Sequence, residues 1–319
     1  MLILNKSSIE QAIQPKGMIE AVKQALIMYE SGNFLMPDRM HINVDKNTLL
    51  LMPAFAQKYL GTKLVSVFPD NIKRNEPVIY GTMILNDAET GKTIALMDGS
   101  ALTAHRTGAV GGLAAKILAN PNMNKLGIVG AGVQSFHQAL YICQSINIYE
   151  LHIYDIFPEK VNDWMIQLKS KLPKIKIIVS GSSEELVGNS DIIVTATTSN
   201  EPVIPDKQNL YNNKLILAFG SYKPNMKEMP DAVYKNVQIF TDTEFAIVES
   251  GDLAQPLKNG LIRENQIQLL SKVLTNKVKP DHNKTIIFKS VGMALFDITV
   301  SSYIYNEAIN EKLGITVGF

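Results

Sequence analysis

Apolar positions along the first 120 residues follow two rhythms. In SIEQAIQPKGMIEAVKQALIMYESG (residues 8–32) they return every three or four residues, which predicts helix. They then crowd into short strand-like runs: RMHINVD, NTLLLMPAF, GTKLVSVFP, VIYGTMILND and KTIALMDG. Asp45-Lys46-Asn47 and Glu89-Thr90-Gly91 between them carry hairpin-type turn chemistry. The next stretch, SALTAHRTGAVGGLAAKILAN, is small-residue-rich and helical, and it stops at Asn120-Pro121.

Beyond Pro121 the rhythm changes. The strands KLGIVG, ELHIYD, KIIVSG, DIIVTAT, KLILAFG and VQIFTD alternate with helix-length segments. Such strands, apolar throughout, belong to a parallel sheet covered on both faces. This region runs to about residue 285. The last segment, VGMALFDITVSSYIYNEAINEKLG, has helical spacing and is predicted as one long helix that returns to the first domain. The expected fold class is α/β, with a Rossmann-type doubly wound parallel sheet beside a second, α+β domain.

Composition narrows the partners. With 31 basic and 30 acidic residues the net charge is +1, which makes no electrostatic case for nucleic acid or an anionic membrane surface. The start, MLILNKSSIEQAI, has too short an apolar run for a signal peptide, and no run approaches the ~20 residues that cross a bilayer. One cysteine, Cys143, permits no internal disulfide; it is read as a small buried filler in a reducing, cytoplasmic setting. The histidines at 41, 105, 137, 152 and 282 show no ligand spacing, and the cysteine has no partner, so no metal site is expected.

The most specific stretch is LGIVGAGVQSFHQAL (residues 126–140). Gly130 permits a tight strand-to-helix turn, and Gly132 lets the backbone approach a pyrophosphate at the helix N-terminus, where free N–H groups and the dipole favour anions. Ser135 takes the place of the third glycine and is small enough for close packing. Asp155 ends the next strand, 23 residues beyond Gly132, near the spacing at which a carboxylate meets the ribose 2′-hydroxyl. A carboxylate there repels a 2′-phosphate, and Ile156-Phe157-Pro158 supply no arginine to offset it. NAD(H) is therefore preferred; NADP(H) stays open because Lys160 lies within reach.

MDGSALTAHRTGAVGGLAAKILA (residues 97–119), followed by GIVGAGVQ, resembles the ornithine cyclodeaminase/μ-crystallin family. MPDRMHI, LLLMPAF, GTKLVSVFP, VESGDLAQPLKNG and FKSVGMALFDITVSSYIYNEA agree in order, so the resemblance spans essentially the whole chain. It implies a substrate-binding and dimerisation domain from residues 1–120 and 290–319, an inserted NAD-binding domain over 121–289, and a homodimer. Members exchange hydride between nicotinamide and the α-carbon of a small α-amino or α-imino acid.

The resemblance places Arg39, Lys63 and Arg106 around the substrate. Either guanidinium suits a bidentate carboxylate contact, and Lys63, set in an apolar strand beside arginines, suits proton exchange with the imine nitrogen. His105 is read as structural. On the cofactor side the resemblance implies Val133 and Gln134 at the pyrophosphate turn, Thr197 by a ribose, Thr82 and Arg106 near the nicotinamide, and Ser290 and Val291 by its carboxamide.

Two positions depart from true cyclodeaminases. Ser221 stands where they carry an aspartate after the fifth strand, and is itself a candidate catalytic group. Leu50 stands where they carry a glutamate, two residues before Met52-Pro53. An ornithine ammonium would lose both partners. The leading reading is an NAD(H)-dependent reductase or dehydrogenase acting on a cyclic imine, or on alanine and pyruvate. Two alternatives stand beside it: an ornithine cyclodeaminase in which Glu228 or a water replaces the aspartate, and a non-catalytic nucleotide-binding protein, against which the set Arg39, Lys63 and Arg106 argues.

Overall fold

Pro15 splits the first helical stretch. Its fixed φ and missing N–H suit a helix's first turn rather than its middle. In the computed structural model, which describes residues 1–318, a short strand β1 (Leu2–Leu4) leads into α1 (Lys6–Ala12), and α2 (Pro15–Ser31) starts afresh and ends at Gly32, φ 71°. The five strand-like runs form β2 (Met40–Val44), β3 (Asn47–Ala56), β4 (Tyr59–Val67), β5 (Ile79–Asp87) and β6 (Thr93–Asp98). Helix α3 (Gly99–Leu118) follows. Next come β7 (Lys125–Val129), α4 (Val133–Ser145), β8 (Glu150–Tyr154), α5 (Pro158–Lys171), β9 (Lys176–Val179), α6 (Ser183–Gly188), β10 (Ile192–Thr195) and β11 (Leu215–Ala218). The chain continues through β12 (Val237–Thr241), α7 (Ala246–Glu249), α8 (Gly251–Lys258), β13 (Ile267–Leu269), α9 (Leu270–Leu274) and β14 (Thr285–Lys289). Helix α10 (Ala294–Asn310) and β15 (Ile315–Thr316) close it.

The chain divides into two compact units, Met1–Arg106 with the stretch from Met293 on, and Thr107–Gly292. The division falls inside α3 rather than at Pro121. A Cβ on Gly108 would stand 2.7 Å from the His137 carbonyl oxygen, and one on Gly112 would stand 2.9 Å from that of Tyr141. The second half of α3 therefore packs backbone to backbone on α4 and belongs with the second unit.

In the first unit the sheet runs β15-β1-β6-β5-β4-β3-β2, and its long strands are antiparallel. Alternation is clear on β3, where Met52, Ala54 and Ala56 are buried and Phe55 is exposed. This is the period-two signature of a sheet with one covered face. Helix α10 lies against β3, β4 and β5 and also against α2.

The second unit holds an eight-stranded, wholly parallel sheet in the order β13-β12-β14-β11-β10-β7-β8-β9. Every residue of β10, β11 and β14 is buried. Six strands were expected here; β13 and β14 are additional, and β14 takes a central place because its five residues, TIIFK, are all apolar or buried. Strand order reverses between β7 and β10, the switch point at which open parallel sheets bind ligands. Among the described residues no helix is long and apolar enough to cross a membrane.

Candidate active site

A buried ionic cluster occupies the first unit. Lys63 lies on β4 between Met52 of β3 and Met83 of β5, its register partners, so these three side chains share the covered face of the sheet. Only 2% of Lys63 is exposed, against 6% of Arg106 and 1% of Asp297. The Lys63 ammonium donates to Asp297 Oδ1 at 2.9 Å and lies 2.8 Å from Oδ2. Arg106 Nε stands 3.2 Å from Oδ1 of the same carboxylate.

Local structure presents each of these groups. Asp98 caps α3, accepting the Ser100 and Ala101 N–H groups at 2.9 Å, and so sets the helix that carries Arg106. Asp297 is in the first turn of α10, where the helix dipole favours a carboxylate. Arg39, half-buried just before β2, acts on Lys63 through its charge. Burial pushes the Lys63 ammonium down to about 8; Asp297 pulls it back up, and Arg106 and Arg39 push it down again. Leu50 is two residues before Met52 on the same side of β3, so the face carries an apolar side chain there. Thr82 is exposed on β5, opposite Asp98 of β6. His105 is buried in α3.

The second unit presents a nucleotide-type turn. Gly130, at the end of β7, has φ 99°, a conformation that favours glycine, and its N–H donates to the Tyr154 carbonyl at 2.8 Å. Gly132 is the N-cap of α4 without a side-chain cap, and a Cβ there would meet nothing within 4 Å. Asp155 Oδ2 accepts the Ala131 N–H at 2.6 Å and Oδ1 accepts that of Phe157 at 2.8 Å. Val133 is 66% exposed at the helix start, while Gln134 Oε1 is buried with no partner. An uncapped helix N-terminus, open space over Gly132, an orphaned amide oxygen and a carboxylate at the end of the second strand fit a dinucleotide. Ser135 is fully buried; its hydroxyl donates to the Gly132 carbonyl and accepts from Trp164 Nε1, the close packing expected of the third small residue.

Beyond the sheet's switch point a buried carboxylate organises the loops. Glu228 accepts the Thr195 hydroxyl at 3.0 Å, the Thr197 N–H at 2.6 Å, the Thr197 hydroxyl at 2.8 Å and the Gly220 N–H at 2.7 Å. Asp252 in turn accepts the N–H groups of Glu228 and Met229 and is 3.3 Å from the fully buried Lys289. Thr197 is thus committed to Glu228. The Ser290 hydroxyl donates to buried Asp242 at 2.6 Å, and the Val291 and Gly292 N–H groups donate to the same carboxylate. Ser221 is fully buried; its hydroxyl donates to the Met226 carbonyl at 2.9 Å and pairs with Ser250 at 2.8 Å. Its hydrogen bonds hold the loop after β11, and Glu228 is committed to the same loops. Cys143, expected as a buried filler, is only partly buried on α4; desolvation of its thiol pushes it up to about 12.

Sequence reasoning passed over Asp297, Asp242, Asp252 and Lys289. For Lys289 and Asp297 there was a signal, a lone charge inside an otherwise apolar run (TIIFKSVG and MALFDITV), whereas Asp242 and Asp252 stand among polar and charged residues and had none.

A model described as the ornithine cyclodeaminase/mu-crystallin family matches residues 1–312. The chain belongs to this family. Within it, the Delta(1)-pyrroline-2-carboxylate reductase of Bacillus thuringiensis subsp. konkukian is 32% identical, with 100% of both chains covered. A solved structure of the Thermococcus litoralis Delta(1)-pyrroline-2-carboxylate reductase, in complex with NADH and L-proline, is 33% identical. It matches with a TM-score of 0.93 over 99% of this chain and 100% of that one. An archaeal alanine dehydrogenase, solved as a dimer with bound NAD, is 28% identical with a TM-score of 0.92, covering 100% of this chain and 99% of that one.

Proposed function

We propose that the protein is an NADH-dependent reductase of a small cyclic α-imino acid, with Δ1-pyrroline-2-carboxylate as its substrate and proline as its product. The observation that carries this reading is the buried cluster of Lys63, Arg106 and Asp297, with Met52, Met83 and Leu50 on the same side of the sheet. Reduction of a C=N bond needs a carboxylate anchor, a proton for nitrogen and an apolar seat for the ring. Arg106, with Arg39, binds the carboxylate, since a planar guanidinium matches it. Lys63 gives its proton to the imine nitrogen, and an ammonium pushed down to about 8 releases that proton readily near neutral pH. NADH, when bound, supplies the hydride to the α-carbon.

The turn at Gly130, Gly132, Val133 and Gln134 takes the pyrophosphate, and Asp155 takes the adenosine ribose. Asp155 keeps acceptor capacity beside its two backbone donors, which supports NADH over NADPH. Thr82 is assigned to the nicotinamide end, while Thr197, Ser290 and Val291, whose donors are taken by Glu228 and Asp242, are assigned the shaping of the loops rather than a side-chain or N–H contact with the cofactor. The relatives support the reading at full length: a pyrroline-2-carboxylate reductase at 32% identity, and a solved one holding NADH and L-proline.

A homodimer is part of the proposal. Strand β2 ends its sheet and leaves Met40, Ile42 and Val44 between 44% and 64% exposed, an apolar edge of the kind that a second chain covers. Light scattering with size exclusion checks this, with twice the mass of the chain expected. The function itself is tested by following NADH absorbance with Δ1-pyrroline-2-carboxylate, pyruvate plus ammonium, and ornithine with NAD. The cyclic imine is expected to give the highest kcat/KM; a higher value for pyruvate plus ammonium would make the protein an alanine dehydrogenase instead.

A further inference from the structure

The cluster on β4, α3 and α10 does not balance its own charge. Two buried cations, Lys63 and Arg106, share one buried carboxylate. An unpaired charge held away from water is costly, so the arrangement is completed only by an incoming anion. A single carboxylate group on the substrate supplies it. Asp297 is the element that lets two cations share so small a space, because each contacts it directly while their own repulsion is offset. Met52 and Met83 flank Lys63 in the sheet without charge. The charged groups that act on Lys63 are therefore Asp297 from α10, Arg106 from α3 and Arg39 from the segment before β2.

We propose that Asp297 is the positioning residue of the substrate site: its carboxylate, rooted in the first turn of α10, fixes the Lys63 ammonium against the Arg106 guanidinium. One substrate carboxylate then completes the charge balance, and the lysine is presented to the imine nitrogen. This rests on the reading of Lys63 as the proton donor. Rooting matters because a long lysine side chain alone has many rotamers, whereas a carboxylate on a helix packed across β3, β4 and β5 has few. Asp297 also supports the protonated lysine. Burial, Arg106 and Arg39 all push its ammonium down, and Asp297 alone among its charged neighbours holds it up. Without that carboxylate, Lys63 would be neutral where the reduction needs its proton.

The test compares Asp297→Asn, Asp297→Glu and Lys63→Met, with kcat/KM for imine reduction measured against pH. Melting temperature and NADH affinity, by fluorescence quenching, are measured beside it. In the wild type the falling limb reports loss of the Lys63 proton. Asp297→Asn keeps shape and loses charge, so its limb is expected to move to lower pH by about 1–3 units, the effect of removing an opposite charge at contact. NADH affinity is expected to stay within about twofold, because Asp297 makes no contact with the turn at Gly130–Gly132 or with Asp155. Asp297→Glu restores the charge at a different reach; its limb is expected to return to the wild-type position while kcat stays at least 10-fold down. If Asp297→Asn does not fold, Asp297→Glu decides alone: a retained limb with reduced kcat supports the proposal, and an unchanged kcat overturns it. A limb of Asp297→Asn at the wild-type pH overturns it too, provided Lys63→Met has lost its turnover. Near-normal kcat in Lys63→Met instead removes the lysine from proton transfer, and the functional reading fails before the question of Asp297 arises.

Discussion

Lys63 shows how a single residue's chemistry is made by its surroundings. Its ammonium loses hydration on burial, and that loss outweighs the attraction of Asp297, leaving it at about 8. The sign of the pH dependence follows from which form each direction needs. Imine reduction consumes the lysine proton, so kcat/KM is expected to hold below about pH 8 and fall above it. Proline oxidation needs the neutral amine and is expected to rise through the same pH. Parallel profiles in the two directions would remove Lys63 from the role. Lys63→Met is expected to lower kcat by about 10²–10⁴-fold, the range for a lost general acid, with NADH binding intact. Arg106→Leu acts differently. Losing charged hydrogen bonds worth about 1.5–3 kcal/mol should raise KM roughly 10- to 100-fold while changing kcat much less.

Among the elements, α3 and α4 pack closely at a place that bears on function. Gly108 and Gly112 let α3 approach the backbone of α4, the helix whose N-terminus follows the Gly130–Gly132 turn. Backbone cannot move aside as a flexible side chain can. Gly108→Val is therefore expected to cost about 1–3 kcal/mol of stability by overpacking, read as a lower melting temperature, with weaker NADH binding in parallel. At the end of β8, Asp155 ties the turn to the strand through Ala131 and Phe157. Asp155→Ala is expected to weaken NADH use and narrow the preference over NADPH, measured as the ratio of kcat/KM for the two cofactors. Equal use of both by the unmodified protein would contradict the assignment.

For the whole molecule, substrate choice is a question of charge. The one carboxylate in the Lys63 cluster is already shared by two cations, and Leu50 leaves no second acid on that side of β3. A distal ammonium, as in ornithine, has no counter-charge there. Proline and ammonia release from ornithine with NAD is expected to stay below about 1 s⁻¹, under an ordinary enzyme rate. Most of the architecture was legible beforehand. The shift from short antiparallel-type runs to apolar strands alternating with helices separates the two sheets, and the final helix does return to the first of them. The short strands β1, β13 and β15 were not legible, because two or three residues give no periodicity.

The order of local signals by itself determined the parallel sheet, the glycine turn after β7, Asp155 at the end of β8, and the family, since each depends on residues adjacent in the chain. Only the tertiary structure decided which charges meet. Asp297 lies 234 positions from Lys63, and although its apolar run marks it as a charge that will be buried, nothing local names the cations it meets. The same holds for Glu228, which gathers donors from the ends of β10 and β11, and for Ser221, whose hydroxyl closes on Met226 and Ser250. Hydrogen bonds and ion pairs act over about 3 Å, so what a buried polar side chain does is set by its neighbours in space, and folding alone supplies those.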